Sequence, residues 1–122
     1  MMSISCDLSA FERRDHSVKI YVPSTVEESK PAPELQRVYV DIVTRELCSM
    51  FGGCTNVNGV GNWMNENGDL VSESVIICGA NCLEDELNNN LTTVIQLAKR
   101  VQVEMSQCCV SVEIDGSLIF VK

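Results

Sequence analysis

The sequence predicts an α+β fold, a ferredoxin-like β-α-β-β-α-β sandwich with one extra C-terminal strand. Two segments carry apolar residues at the three- and four-residue steps of a helix, and segments with the alternation of strands flank both of them. Asn-Gly and Asp-Gly pairs between these strand-like segments are typical of tight hairpins. Because each helix joins two strands, we expect both helices on one face of an antiparallel sheet.

Residues 1–16 are mixed in polarity, and we expect them to form a lead-in segment to a single domain that spans 17–122. Residues 17–23 alternate apolar and polar side chains, which predicts a strand with one buried face. Residues 23–33 contain all three prolines of the chain, together with Ser, Thr and Glu. That composition is typical of an exposed loop.

The first helix is predicted from Glu34 to Phe51. Pro33 suits the first turn of a helix, and the carboxylate of Glu34 suits the positive end of the helix dipole. Gly52 and Gly53 are expected to end the helix. Its apolar stripe consists of Leu35, Val38, Tyr39, Ile42, Val43, Leu47, Met50 and Phe51.

A hairpin is predicted after this helix, with strands at 54–64 and 70–79 and a turn at 65–68 that ends in Asn-Gly. The second helix is predicted at 87–106. The acidic triplet 84–86 should complement the dipole of this helix, and an asparagine just after the triplet should cap it. The apolar stripe of the second helix consists of Leu87, Leu91, Val94, Ile95, Ala98, Val101 and Met105.

The last two strands are predicted at 108–114 and 117–122, joined by a tight turn at Asp115-Gly116. Two helices cover one side of a sheet, so the other side should be open. On that side we expect Lys19 and Tyr21, together with either Leu118 and Phe120 or Ile119 and Val121. Since large apolar patches are unusual on monomers, the open face predicts a homodimer or a higher homo-oligomer.

Composition narrows the class of protein further. The 122 residues are 45% hydrophobic, and nine Lys and Arg against 17 Asp and Glu give a net charge of −8. This charge argues against binding to long nucleic acid. The sequence shows neither a secretory signal nor an apolar stretch long enough to span a membrane, so we expect a cytoplasmic protein without a membrane partner.

Seven cysteines without a secretory signal predict reduced thiols. Cys78 and Cys82 are spaced C-x3-C, and Cys48 and Cys54 are spaced C-x5-C, neither of which is the usual zinc knuckle. His16 is the only histidine, so a mixed Cys/His site is not expected. Most of the cysteines occur in apolar runs, which favours packing in the core and predicts no metal.

The most distinctive segment is 59–68, which contains Gly59, Gly61 and Trp63. It lacks the full dinucleotide-binding pattern and precedes a hairpin rather than a helix, so no nucleotide cofactor is expected. The glycines could permit a β-bulge, with Trp63 packed at a strand edge. Alternatively, the glycines let a ligand approach the backbone, and Trp63 stacks on a nucleobase.

Within this segment, the string G61-x-W63-x4-G68-x4-E73 resembles a motif of small uncharacterised α+β domains of bacteria and phages. The resemblance covers about residues 17–114 and implies the fold, with Gly61, Trp63, Gly68 and Glu73 as the matched positions. In size, acidity and expected oligomeric build, the chain is also similar to phage anti-defence proteins that sequester host nucleotide signals. Those proteins are the sponges that act against Thoeris and related systems.

Candidate charged residues allow several functions. Glu73 is the best single acid for catalysis, although on a strand it could simply form an ion pair with a neighbouring Arg or Lys side chain. Arg13 and Arg14, beside Phe11, form a basic arm that could close over the phosphates of a ligand. A second set of basic residues is expected on the two helices, either at the solvated surface or as an alternative anion site, and consists of Arg37, Arg45, Lys99 and Arg100.

These observations favour non-catalytic binding and sequestration of a small anionic nucleotide in a phage-infected bacterium, with no catalytic residue assigned. The predicted ligand site consists of Trp63, Gly59, Gly61, Arg13, Arg14 and Glu73, with Arg45, Lys99 and Arg100 as further candidates. One alternative is a homo-oligomeric interaction or structural module that uses the open sheet face. A third is a small hydrolase that uses Glu73.

Overall fold

A computed structural model describes residues 7–27 and 29–122. The strands are β1 (His16–Pro23), β2 (Thr25–Val26), β3 (Lys30–Pro31), β4 (Thr55–Met64), β5 (Leu70–Cys82), β6 (Val110–Ile114) and β7 (Ser117–Val121). The helices are α1 (Pro33–Phe51) and α2 (Glu84–Glu104), and a short 3-10 helix spans Leu8–Ala10. Neither α1 nor α2, which are the α-helices of the described ranges, is apolar enough over its length to cross a membrane.

Five strands form one antiparallel sheet in the order β4-β5-β1-β6-β7, and β2 pairs with β3 in a separate short hairpin. The first four strands of that order are those of a ferredoxin-like sandwich, and β7 extends the sheet beside β6. The predicted fold class is therefore confirmed, including the extra C-terminal strand.

The core lies between the sheet and the two helices. On β1, Val18, Ile20 and Val22 are fully buried, as the period of two predicts. Val43 and Leu47 of α1 are fully buried against this face. From α2, Val94, Ala98 and Val101 complete the same cluster.

The opposite face of the sheet carries the side chains that alternate with the core residues. On β7 these are Leu118 and Phe120, both more than half exposed.

The start of α2 differs from the prediction. The helix begins at Glu84, three residues earlier than expected, and the asparagines at 88–90 lie inside it rather than at its cap. The backbone N–H of Leu83 donates to Glu86 Oε1 at 2.9 Å, so a carboxylate of the acidic triplet satisfies this end of the helix. The predicted asparagine cap is therefore wrong, and the predicted role of the acidic triplet is confirmed.

Other boundaries also differ from the prediction. Strand β5 continues to Cys82 rather than to residue 79. All of β1 pairs with this part of β5, from His16 opposite Cys82 to Pro23 opposite Val75. The predicted loop at 23–33 contains the short β2–β3 hairpin, and Glu28 of that loop lies outside the described residues. In the lead-in segment, residues 1–6 lie outside the described ranges and His16 already belongs to β1.

The tight turn between β6 and β7 is confirmed. Asp115 and Gly116 have φ values of +49° and +83°, a conformation that Asp and Gly tolerate better than most residues. The backbone N–H of Asp115 donates to Ser17 O at 3.0 Å, and Asp115 Oδ1 accepts from Ser17 N at 3.0 Å. This turn therefore also ties the last hairpin to the start of β1.

The same turn predicts a pH dependence. His16 Nδ1 lies 2.8 Å from Asp115 Oδ2, and this hydrogen bond raises the pKa of His16 above 6.5 and lowers the pKa of Asp115 below 3.8. The ion pair stabilises the fold fully between these two ordinary values. Its contribution is lost as the pH rises through the raised pKa of His16, and also as it falls through the lowered pKa of Asp115.

Proton NMR can follow the titration of His16 without overlap, because it is the only histidine of the chain. We expect a lower midpoint for His16 in Asp115→Asn than in the parent, since the substitution removes the negative partner and keeps the turn. Equal midpoints in the two proteins would contradict the ion pair.

Candidate functional site

A groove crosses the open face of the sheet at β4 and β5. Gly59 and Gly61 lie on this face of β4, opposite Val75 and Glu73 of β5. A Cβ atom at Gly59 would come within 3.4 Å of the side chains of Val75 and Ile77. Because glycine has no side chain, the surface of β4 is recessed at these two positions, which supports the interpretation that they leave room for a ligand.

The groove belongs to a cavity of about 660 Å3, a volume in the range of small-molecule sites. Strand β1 contributes Tyr21, β4 contributes Trp63 and β7 contributes Phe120. The segment between α2 and β6 contributes Gln107 and the adjacent thiols of Cys108 and Cys109. Three aromatic rings thus surround an apolar floor.

Trp63 lies in this cavity and not in the core. It is 40% exposed and sits on β4, an edge strand of the sheet. Tryptophan is usually well buried, so an accessible indole beside glycines is more typical of a ligand-binding surface than of packing. The stacking role predicted for Trp63 stays a prediction, and its position supports that role.

Glu73 is held by hydrogen bonds from the end of β1 and the start of β2. Ser24 N donates to Glu73 Oε1 at 3.0 Å, and Thr25 Oγ1 donates to the same oxygen at 2.8 Å. Ser24 Oγ adds a longer bond to Oε1 at 3.4 Å. In the described part of the chain, the three side-chain hydrogen bonds to Glu73 all end on Oε1, and they orient a carboxylate that lines the cavity. The expected ion pair with a neighbouring Arg or Lys side chain is not seen among these residues.

The charge of the cavity differs from the prediction. Among the described residues that line it, Glu73 is the only charged one. A negative charge in a partly apolar site favours a cation over an anion. The predicted anionic ligand therefore does not match this cavity.

The structure does not bring the basic arm to Trp63 within one chain. Arg13 pairs with Asp15 at 3.2 Å. Arg14 donates to Phe51 O at 2.7 Å and pairs with Glu12 at 3.1 Å. Arg14 lines a separate cavity of about 500 Å3, at the end of β5 nearer α1, which meets the Trp63 cavity at Ile77. The arginines are thus neutralised locally, and the predicted site that joins them to Trp63 is not formed in the single chain.

The basic residues of the helices lie on the layer opposite the cavity. Arg45 pairs with Asp41 at 2.9 Å, and Arg100 pairs with Glu104 at 3.3 Å, each one helical turn apart. Lys99 and Arg37 are exposed on the same layer. The interpretation of these residues as a solvated surface therefore fits the structure, and none of them reaches the open-face cavity.

The described cysteines fall into three groups, since two are buried, two are exposed, and Cys54 and Cys109 are half-buried. Cys78 and Cys82 are buried in the core, as predicted, and burial raises the pKa of the Cys78 thiol to about 11. Cys48 and Cys108 are exposed, so core packing is wrong for them, and Cys6 lies outside the described residues. Within residues 7–27 and 29–122, no group of three or more His, Cys, Asp or Glu side chains could hold a metal ion.

Sequence reasoning missed Ser24, Thr25 and Gln107. Ser24 and Thr25 belong to a segment whose composition predicts only an exposed loop, and Gln107 follows a helix with no motif around it. Their connection to Glu73 is made through tertiary contacts that join positions 48 to 82 residues apart. No local pattern in the sequence could have indicated it.

Two solved structures resemble this chain, and both are of a phage SAM (S-adenosylmethionine) lyase. One, in complex with S-methyl-5'-thioadenosine, has 22% sequence identity and a TM-score of 0.59, with 95% of this chain and 91% of that chain covered. The other, in the apo state, has 26% identity and a TM-score of 0.61, with 89% and 90% covered. No family model matches the chain, and no curated protein matches it.

These findings correct the functional prediction. Both neighbours are structures of an enzyme, which overturns the interpretation of the chain as a non-catalytic sponge and the expectation that it is not an enzyme. The hydrolase alternative assumed an enzyme, but the neighbours are described as lyases, which break bonds without water. The family resemblance through Gly61, Trp63, Gly68 and Glu73 stays a prediction.

Proposed function

We propose that this chain is a lyase that cleaves S-adenosylmethionine, and that the open-face cavity beside Glu73 holds the substrate. The observation that carries the proposal is the fold shared with the apo phage SAM lyase over about nine-tenths of both chains. Fold alone does not specify a reaction. The charge, lining and size of the cavity are therefore the further support.

The charge of the cavity suits this substrate. S-adenosylmethionine carries a positive sulfonium, a positive ammonium and one carboxylate, so it is a net cation near neutral pH. The charged group of the described cavity lining is Glu73, and the whole chain has a net charge of −8. An acidic surface raises the local concentration of a cationic substrate, and a partly buried carboxylate binds it at short range.

The lining of the cavity suits the nucleoside part. Trp63, Tyr21 and Phe120 offer aromatic rings on which an adenine can stack. A sulfonium is also attracted to the faces of such rings. The cavity volume of about 660 Å3 is sufficient for a ligand of this size.

The nucleoside bound to the neighbouring lyase indicates which bond we propose is broken. S-methyl-5'-thioadenosine keeps the methyl and ribose carbons on sulfur, so the bond lost is that between sulfur and Cγ of the methionine part. The electron pair of that bond stays on sulfur, which becomes neutral. In a reaction without water, Cγ must form its new bond to another atom of the same substrate. Either the carboxylate oxygen attacks it to form a five-membered lactone, or a Cβ proton leaves to a base and a double bond forms.

An assay in H2 18O tests the proposal and separates a lyase from a hydrolase. We expect the purified protein to convert S-adenosylmethionine into S-methyl-5'-thioadenosine and a four-carbon product that carries no 18O at Cγ. A reaction without protein corrects for spontaneous breakdown of the substrate. Homoserine labelled at its Cγ hydroxyl would indicate hydrolysis, and no product above the protein-free rate would overturn the proposal.

A phage origin and action in the cytoplasm of an infected host are part of the proposal, because both structural neighbours are phage proteins. The homo-oligomer predicted from the sequence is a further part of it. Val57 exposes a large apolar side chain on the open face outside the substrate cavity, which supports contact with another copy there.

A further inference from the structure

Gln107 is a buried polar side chain beside the cavity, only 7% exposed, in the segment between α2 and β6. Its Nε2 donates to Thr25 O at 2.8 Å and to Met105 O at 3.1 Å. Two carbonyl acceptors determine which way the amide points, because the amide oxygen cannot donate to them. The backbone oxygen of Gln107 accepts from Gln102 Nε2 at 2.6 Å, which anchors the segment itself to α2.

The segment that Gln107 holds is the one that binds Glu73. The carbonyl of Thr25 faces Gln107, while its hydroxyl donates to Glu73 Oε1. A bond from Ala32 N to Ser24 O at 2.8 Å closes the base of the β2–β3 hairpin. Glu27 N adds a bond to Met105 O at 3.3 Å. Thr25 thus connects Gln107, in the segment after α2, to the carboxylate of Glu73 on β5.

We infer that Gln107 and Thr25 are positioning residues, which hold Glu73 Oε1 and so fix the carboxylate that lines the substrate cavity. This inference rests on the proposed function, because it assigns the position of Glu73 a role in the cleavage of S-adenosylmethionine. Strands β2 and β3 are only two residues long each, so the backbone hydrogen bonds between them do little to fix the position of Thr25. The buried amide of Gln107 supplies the missing rigidity, and Glu73 depends on it without touching it.

Two substitutions at Thr25 separate the hydroxyl from the shape of the side chain. Thr25→Val keeps the shape and removes the donor to Glu73, whereas Thr25→Ser keeps the donor. For Thr25→Val we expect a kcat about ten- to a hundredfold lower with KM changed less than about threefold, since a displaced Glu73 carboxylate no longer aligns the bound substrate for the cleavage step. Thr25→Ser should restore most of that kcat. Equal kcat values for Thr25→Val and the parent would overturn the inference.

Gln107→Met keeps a similar side-chain length and removes the amide, and the same fall in kcat is expected because Thr25 O loses the donor Gln107 Nε2, whereas Met105 O keeps the bond from Glu27 N. Should this variant melt too low for assay, the Thr25 pair still decides. A denaturation cycle that combines Thr25→Val with Glu73→Met, which removes the acceptor oxygen at similar side-chain length, tests the link without any substrate. We expect non-additive shifts in the denaturation midpoint, because the two residues share one hydrogen bond. Additive shifts would overturn the link even where S-adenosylmethionine is cleaved.

The two readouts keep the failures distinct. A parent protein that does not cleave S-adenosylmethionine, together with a non-additive cycle, would overturn the proposed function and the catalytic part of this inference. A parent that cleaves it, together with an unchanged Thr25→Val, would overturn the inference alone.

Discussion

Replacing Glu73 by glutamine is expected to lower kcat/KM for S-adenosylmethionine about thirtyfold to several thousandfold. The substitution keeps the shape of the side chain and an oxygen that can accept from Ser24 N and Thr25 Oγ1. It removes the negative charge that lines the cavity. Loss of one partner of a desolvated charge pair costs about 2–5 kcal/mol, which corresponds to the stated range. Initial rates of S-methyl-5'-thioadenosine formation measure it.

Glu66→Gln is the matched control for this experiment. It makes the same chemical change at an exposed position in the β4–β5 turn, outside the cavity. A general effect of the net charge on substrate attraction would lower both variants alike, whereas a local role affects Glu73→Gln alone. A Glu73→Gln protein with the parent kcat/KM and melting temperature would remove the carboxylate from the mechanism.

The fold could be predicted from sequence because its determinants are local. Val18, Ile20 and Val22 alternate with polar residues, and this alternation alone specifies a strand with one buried face. Asp115-Gly116 supplies the two positive φ angles that a tight hairpin needs. The start of α2 was misplaced by three residues because the capping group is the side chain of Glu86, inside the helix, rather than an asparagine before it.

The site could be predicted only in part, because its chemistry depends on tertiary contacts. Trp63, Gly59, Gly61 and Glu73 are near one another in sequence and do share a cavity. Arg14 suggested an anion site because it is next to another arginine, but the fold surrounds it with Glu12, Glu86 and a backbone carbonyl. The predicted anion site therefore differs in sign from the charge that lines the cavity. The sign of the ligand charge depends on which charges the fold leaves unpaired, and the order of residues along the chain does not show that.

Trp63→Ala is expected to weaken binding of S-methyl-5'-thioadenosine about fivefold to more than a hundredfold, because base–aromatic stacking contributes about 1–3 kcal/mol. Trp63→Phe should recover part of the affinity, since it keeps an aromatic face. The melting temperature should change little, because Trp63 is 40% exposed on an edge strand. Isothermal titration calorimetry with the nucleoside measures the effect directly.

A control variant and a second ligand show whether the effect comes from stacking on Trp63. Met64→Ala changes the neighbouring residue of β4, which is more exposed and lies outside the cavity lining, so it should leave affinity unchanged. S-methyl-5'-thioadenosine has neither the sulfonium nor the ammonium, so Glu73→Gln should barely affect its binding while Trp63→Ala weakens it. S-adenosylmethionine has both an adenine and positive charges, so its binding should depend on both Trp63 and Glu73. If Trp63→Ala binds the nucleoside as tightly as the parent, the adenine does not stack on this ring and the nucleoside end of the site must lie nearer Tyr21 and Phe120.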